Sequence, residues 1–529
     1  MKKSFTILFI CFFLCQLVSA DYNPSVRIDP ALDRFLSRMQ ARYGVSPGDI
    51  GRQPFETIAL SGTLQTLSEH TGLSDKELNE LRALSRYFDV DGGVLSWHDE
   101  HDEIHFKINL SLLGEIKGTL NDDALWMRGL INPRLSGNLG PLSFYSEVDV
   151  WTDYRSDMLF EPSTYQPYDG IPYNLYGRDT EGSHLRSSDL VRGGINYSTE
   201  RIDLGLAVDY IKWGPAQFYP LTLSGLAPPI TCFRTDLDLQ IVQYQHITGL
   251  LQSQRDKRKY IYAHRLSGKW KQLEFSLNEV IINGSTTDQQ PPGDPNQLRA
   301  PYYGEERQLE IAYMIPFLPK VILEHYLGDR DNAAISVDWN LTWPENFRFY
   351  GEIHLDDISA PWTIFSSDWG NKWGFTGGMG YYGRLLSKDF SAGIEYSRVE
   401  PWVYTHFYGG SHRYEHFNKP LGSPLGPNSR GVMAFFDLGV SVRNTVGITV
   451  NSEATNSSVR GGSIEHVFQL DEDSTEKEFL GPGTVHYLRP GIYWTFDPFG
   501  VFRINAHYQI DLREDKGRSN LRLYGGLYF

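Results

Sequence analysis

The chain has 529 residues, 14% of them aromatic, and a formal net charge of −16. An acidic balance of this size lacks the basic footprint that phosphate backbones require, so nucleic acid is not an expected partner. Its 50 glycines and 28 prolines suit many turns better than long helices, and a mean hydropathy of −0.37 is compatible with strands that are only half apolar.

Residues 1–20 begin with Lys2 and Lys3, continue through an apolar stretch from Phe5 to Leu17 and end on Val18-Ser19-Ala20. That order predicts a secretory signal cut before Asp21. A lipoprotein is not expected, because Leu14 stands just before Cys15 where a lipid-anchoring signal wants a small residue. Cleavage would remove Cys11 and Cys15 and leave Cys232 alone, with no internal disulfide and no cysteine metal site. It would also remove Lys2 and Lys3, taking the charge from −16 to −18. Solubility during periplasmic transit accounts for this acidity.

Residues 21–100 have the period of helices. Leu32, Phe35, Leu36 and Met39 follow the i, i+3, i+4, i+7 pattern, and Ile58, Leu60, Leu64 and Leu67 form a second series. Ser74 and Glu77 make a capping-box pattern, with Leu78, Leu81, Leu84 and Phe88 on one face after it. Three short helices bury little alone, so the segment is expected to plug a larger structure from the periplasmic side. A linker or separate periplasmic domain is the alternative.

After Ala20 there is no apolar run of the roughly 18 residues that a spanning helix needs, so any membrane crossing must be by strands. From about Glu103 the period becomes two. Ile104, Phe106, Ile108, Leu110 and Leu112 alternate with His105, Lys107, Asn109 and Ser111. Phe144, Val148 and Val150 oppose Tyr145, Glu147 and Asp149; Leu204, Leu206, Val208 and Tyr210 oppose Asp203, Gly205 and Asp209; Phe502, Ile504, Ala506, Tyr508 and Ile510 oppose Arg503, Asn505, His507, Gln509 and Asp511. One row suits lipid and the other a wet lumen. The expected fold is therefore an all-β transmembrane antiparallel β-barrel over residues 101–529, with roughly 16–18 strands. Leu521, Leu523, Gly525, Leu527 and Phe529 on one face of the final segment read as a closing strand. An ordinary strand of a soluble β-protein is the alternative for that segment alone. Turn-rich stretches at Leu159–Asp189, Ser285–Glu305, Gly409–Arg430 and Gln469–Thr484 are the expected extracellular loops.

The most unusual internal segment runs Asp209-Tyr210-Ile211-Lys212-Trp213-Gly214-Pro215, then Pro220-Leu221-Thr222-Leu223-Ser224-Gly225-Leu226-Ala227-Pro228-Pro229. Pro215, Pro228 and Pro229 lack an N–H for a β-ladder, so they belong where pairing is interrupted. Trp213, Gly214, Pro215, Ala227, Pro228 and Pro229 are accordingly expected to be structural, as an inward-folded constriction with Lys212 paired to a lumen carboxylate.

The same segment resembles the central signature of the Wzi-type capsule-assembly family. Further blocks fit in order: Tyr262-Ala263-His264-Arg265-Leu266, Glu352 with Asp356-Asp357, Glu395-Tyr396, Trp402-Val403-Tyr404-Thr405-His406 and Gly422-Ser423-Pro424-Leu425-Gly426. The resemblance implies an outer-membrane barrel of 18 strands with an N-terminal helical plug, acting as a lectin that holds capsular polysaccharide at the cell surface. It also implies that the terminal strand ending on Phe529 is read by the barrel-assembly machinery. No binding residue transfers by position.

A polysaccharide lectin needs aromatic faces for sugar C–H surfaces and carboxylates or amides for hydroxyls. Two loop clusters have both: Tyr165, Tyr168, Asp169, Tyr173, Asn174 and Tyr176, with Asp179, and Tyr408, His412, Tyr414 and His416, with Asn418. Asp356-Asp357 and Asp471-Glu472-Asp473 are weak Ca²⁺ candidates whose spacing matches no EF-hand, and no metal or cofactor is expected. The chain has neither a His-Glu-x-x-His pair nor a Gly-x-Ser-x-Gly elbow. His354, His406 and His507 could serve a hydrolase only if strands brought a serine to one of them. The expectation is a non-enzymatic, monomeric outer-membrane protein with lipid and surface polysaccharide as partners. A channel for saccharides or other small solutes is the alternative.

Overall fold

The structure is a computed structural model describing Val26 and residues 29–87, 94–98, 104–119, 124–160, 173–176, 182–252, 258–285, 306–359, 361–469, 473–497, 502–513 and 516–528. Residues 1–20, where a secretory signal is expected, and Phe529 lie outside the described residues.

Among the described residues, 18 long antiparallel strands close into one barrel. They are β1 Ile104–Thr119, β2 Ala124–Leu139, β3 Leu142–Arg155, β4 Leu185–Ser198, β5 Ile202–Asp209, β6 Ile230–Asp238, β7 Val242–Leu251, β8 Lys259–Trp270 and β9 Leu273–Gly284. The second half is β10 Asn332–Leu341, β11 Phe347–Asp357, β12 Lys372–Leu385, β13 Lys388–Val399, β14 Ser429–Ser441, β15 Asn444–Thr455, β16 Val485–Phe496, β17 Phe502–Arg513 and β18 Lys516–Tyr528. β18 closes on β1, from Asn520 opposite Thr119 to Tyr528 opposite Ser111. Closure leaves no long edge unpaired, which is the condition for a sheet to sit in lipid.

Side chains alternate as the period of two requires. Ile108, Leu112 and Ile116 of β1, Val150 of β3 and Leu206 of β5 are exposed outward, while Glu115, Tyr145, Glu147 and Asp149 are buried inward. Along these strands the exterior is an apolar belt and the interior polar, as in an outer-membrane barrel. No described helix is long and apolar enough to cross a membrane. Cys232 is free and buried.

One rim carries short turns, such as residues 140–141, 271–272 and 386–387, and the other carries the long connections 156–184, 285–331, 358–371, 400–428 and 456–484. Short turns mark the periplasmic end, so the long connections face outward from the cell. Of the turn-rich stretches read from the sequence, Gly409–Arg430 and the described part of Gln469–Thr484 fall in these connections, whereas residues 286–305, 161–172, 177–181 and 470–472 lie outside the described residues.

Among the described residues the α-helices are α1 Pro30–Tyr43, α2 Thr57–Ser68 and α3 Asp75–Tyr87, with a further short helix α4 Lys320–Tyr326. Asp29 caps α1, taking the N–H groups of Ala31 and Leu32 at 2.7 and 3.1 Å. The capping box at α3 forms in both directions: Ser74 N–H donates to Glu77 and Glu77 N–H to Ser74 Oγ. The apolar rows meet in one core of Leu32, Leu36, Met39, Leu60, Leu64 and Leu84. Ile58 is instead exposed.

These helices enter the barrel from the short-turn end. Gln40 of α1 donates to the inward Glu274 at 2.6 Å and accepts from Asn340 at 2.9 Å. Arg42 bridges Glu77 and the inward Asp389, and Arg265 of the wall grips Asp49 at 2.7 Å. Burial opposes the charged form of Asp49, but the Arg265 guanidinium outweighs it and holds the carboxyl below its ordinary range.

Candidate functional site

The connection 210–229 between β5 and β6 turns into the lumen instead of out of it. Its apolar residues Trp213, Leu221 and Leu223 are completely buried against Ile247, Ile261 and Val280 of the wall. Backbone inside a barrel needs partners, and two inward carboxylates supply them. Glu395 of β13 accepts the N–H groups of Gln217, Phe218 and Tyr219 at 2.9, 3.0 and 2.6 Å, and the Tyr350 hydroxyl at 2.8 Å. Glu352 of β11 accepts from Leu221 N at 2.9 Å and from Thr222 N at 2.7 Å.

Lys212 pairs with Asp33 of α1 at 2.6 Å, so its carboxylate lies in the lumen but on the helical segment. Trp213 Nε1 donates to Gln245 at 2.6 Å. Gly214 has φ 113°, and a Cβ there would stand 2.7 Å from Glu352 Oε2. Only glycine meets both conditions without strain. Ala227 is buried in the same cluster.

The β13–β14 connection, residues 400–428, folds down onto this segment. Tyr404 hydroxyl donates to Leu221 O at 2.7 Å and Tyr414 hydroxyl to Thr222 O at 2.8 Å, the two rings stacking at 5.3 Å. Burial pushes both phenols well above the ordinary tyrosine range. Trp402 and Tyr404 hold left-handed φ values of 70° and 69°. Such conformations persist where surroundings over-determine them, here through Asp356, which accepts Tyr404 N–H at 2.8 Å.

Tyr408, His412, Tyr414 and His416 are therefore brought together inside the protein, all at 3% exposure or less. Their ring faces are taken by protein: Tyr408 lies 5.1 Å from His412, which lies 4.9 Å from His406. His416 Nδ1 accepts Gln252 N–H at 2.9 Å. Burial first, then Arg307, Lys259 and Arg330, pushes His412 well below its ordinary value, and burial takes His416 down to about 4. Neutral, enclosed side chains offer no surface to a polymer outside the cell, so this expected sugar-facing cluster is instead packing. The sequence clustering was real, but an inward-folding loop buries aromatics that an outward one would display.

Tyr165, Tyr168 and Asp169 lie outside the described residues, as does Asp179. Tyr173, Asn174 and Tyr176 fall on a short strand, Tyr173–Tyr176, paired with the start of β4.

At the long-loop rim a cleft of about 490 Å³ opens between α4, the ends of β10 and β11, and the connections after β11, β13 and β15. Trp369, Phe407 and Phe468 supply its aromatic part, and Glu324, Asp329 and Asp357 its acidic part. Trp369 stacks on Phe468 at 3.6 Å with 5° between the rings. Two further aromatics of the 358–371 connection, Trp362 and Phe365, are 86% and 80% exposed. This combination of ring faces and carboxylates is what sugar recognition uses. Sequence reading missed it, although three aromatics within residues 361–369 were a visible signal.

Glu324, His325 and Asp329 hold their ligand atoms within 4.8 Å of one another, close enough to share one cation. Burial, with Asp329 and Asp331 nearby, pushes the Glu324 carboxyl up to about 8. Of the Ca²⁺ candidates, Asp356 takes the Tyr404 N–H, and Asp357 pairs with Lys372 at 3.4 Å. Asp471 and Glu472 lie outside the described residues, and Asp473 is held by Arg460 at 2.6 Å.

His354 lies beside the stacked Tyr404 and Tyr414 rings, 5.4 and 5.7 Å from them, and His507 lies 6.3 Å from Tyr493. A Ser–His contact does occur, Ser411 Oγ to His412 Nδ1 at 2.9 Å, but both residues are buried and Asp331 is 3.9 Å from Nε2, too far for a hydrogen bond.

No protein-family model matches the chain, and no curated protein does. Among solved structures it is similar to Wzi of Escherichia coli, described as an outer-membrane protein involved in group 1 capsule assembly and a carbohydrate-binding β-barrel. Identity is 13%, coverage 96% of this chain and 99% of that one, and the TM-score 0.57. Weaker matches are Pseudomonas aeruginosa OpdK, crystallised with vanillate (8% identity, 80% and 98% coverage, TM-score 0.44), and OprD of the same organism (10%, 80% and 95%, 0.42). The chain thus has a Wzi-type outer-membrane barrel fold.

Proposed function

We propose that this chain belongs to the Wzi-type family and is a non-enzymatic lectin that anchors capsular or exopolysaccharide at the cell surface. The observation that carries the reading is the rim cleft, where Trp369, Phe407 and Phe468 stand beside Glu324, Asp329 and Asp357 over a lumen occupied by the chain's own segments. Likeness to a barrel described as carbohydrate-binding supports it. The helical segment 21–100 acts as the plug, the protein inserts through the barrel-assembly machinery, and it works as a monomer.

Deleting the protein is expected to release polysaccharide into the medium without stopping its synthesis. Trp362→Ala with Phe365→Ala and Asp357→Asn, all at exposed positions, should do the same several-fold while the barrel still folds. Unchanged cell-bound polysaccharide in the deletion strain would refute the anchoring role.

A further inference from the structure

The wall of β7, β8 and β9 breaks the rule that outward residues are apolar. Gln245, Ile247, Ile261, Ala263, Val280 and Ile282 pack against the lumen segment, so their alternates face out. Those alternates include Tyr244, His246, Tyr262, His264, Glu279 and Asn283, and every one is buried. A polar wall of this kind cannot stand against acyl chains.

It is covered from outside by residues 306–331. Tyr313 packs on Tyr262 with ring centroids 5.2 Å apart, and Phe317 stacks on Tyr244 at 4.1 Å. The cover also supplies partners to Tyr244, Tyr262 and Glu279 of the wall. Glu310 N–H donates to Tyr262 hydroxyl at 2.7 Å, Phe317 N–H to Tyr244 hydroxyl at 2.9 Å, and Lys320 N–H to Glu279 at 2.7 Å, while His264 meets the same carboxylate at 2.8 Å.

The other side of the cover is apolar. Residues 311–319, Ile-Ala-Tyr-Met-Ile-Pro-Phe-Leu-Pro, carry no charge. Ile311, Ile322 and Tyr326 are 72%, 59% and 86% exposed, and Ile315 and Phe317 are exposed beside them. This face continues the belt formed by the exposed Leu250, Leu266, Phe275 and Leu277 of the same three strands.

We propose that residues 306–331 are a membrane flap: a segment outside the barrel whose apolar face is seated in the acyl chains of the bilayer and whose polar face seals the wall of β7–β9. The occupant of that face is lipid, argued from its continuity with the belt. The β9–β10 connection is then a lipid-contacting element and not a free extracellular loop, although it shares α4 with the rim cleft.

The test uses the full chain in phosphatidylcholine vesicles, with a bimane label on Ile322→Cys. Leu277→Cys serves as a belt reference and Glu476→Cys as a water reference; Cys232 is buried and stays unlabelled. Brominated acyl chains should quench the label at 322 by the same fraction as at 277, and iodide should leave it unchanged. Quenching by iodide to the level seen at 476 would overturn the proposal. So would shielding from both quenchers together with a 322–322 disulfide dimer, which would assign the face to a second copy.

Discussion

The lumen segment and the rim cleft are built from the same materials, aromatic rings beside carboxylates, and differ in what the carboxylates are given to bind. In the lumen, Glu352 and Glu395 are spent on the chain's own N–H groups. Tyr404 and Tyr414 stack on each other and donate to its carbonyls. At the rim, Asp357 and the rings of Trp362 and Phe365 are exposed. Residue type alone therefore does not separate a binding surface from a scaffold; satisfied backbone does.

The largest expected effect follows from removing what holds the lumen segment. Glu395→Ala orphans three N–H groups, the buried one of Tyr219 at roughly 1–3 kcal/mol and the part-buried ones of Gln217 and Phe218 at less. Combined with Glu352→Ala it should abolish the heat-modifiable folded band on gels of outer membranes. A normally folded double variant would show that the segment stands without its anchors. Gly214→Val with Pro215→Ala comes next, because the added Cβ meets Glu352 and the left-handed φ is lost. Less folded barrel is expected. Normal folding with lost polysaccharide binding would make this motif the binding site.

These two tests bear on what was legible. Alternation along β1, β3, β5 and β17 and the change of period near Glu103 are local signals, so the barrel and its helical preface could be read from the chain. The prolines of 210–229 announced an interrupted ladder, and that segment does leave the wall. The direction of a loop is not local: nothing in residues 408–416 says whether they fold in or out, because the deciding partners, Leu221, Thr222 and Asn332, are remote in sequence. The flap was illegible for the same reason. Polarity alone does not say which side of the wall His264 and Glu279 face, and the register of β7–β9 turns them outward.

Conductance tests the interior as a whole. The intact protein in a planar bilayer should pass negligible current, and removal of residues 29–87 should open a measurable one, because Gln40, Arg42 and Asp49 would no longer reach across to the wall. Large currents from the intact protein would favour a channel and weaken the lectin reading. At the rim the expected effect on folding is smaller still: Trp362→Ala should leave the unfolding midpoint in urea unchanged while lowering retained polysaccharide.

The smallest effect is a pH dependence confined to the helices. Burial resists the charge on Glu80, but Arg38 and Lys76 overcome it and hold the carboxyl at about 2. Lys76 lies 3.2 Å away as an i, i+4 partner, and Arg38 reaches across from α1. The folded value lies below the unfolded one, so the group stabilises the folded state fully above the ordinary glutamate range, near pH 4.3. That contribution is lost as pH falls toward 2. Glu80→Gln should thus lower the melting temperature at pH 7 and leave it little changed at pH 2, narrowing the gap between the two. An equal loss at both pH values would mean that Glu80 acts through packing, and the α1–α3 contact would then owe nothing to this charge. The wall contacts of Gln40 would carry the docking of α1, as the polar lumen, and not the helix pair, would lead one to expect.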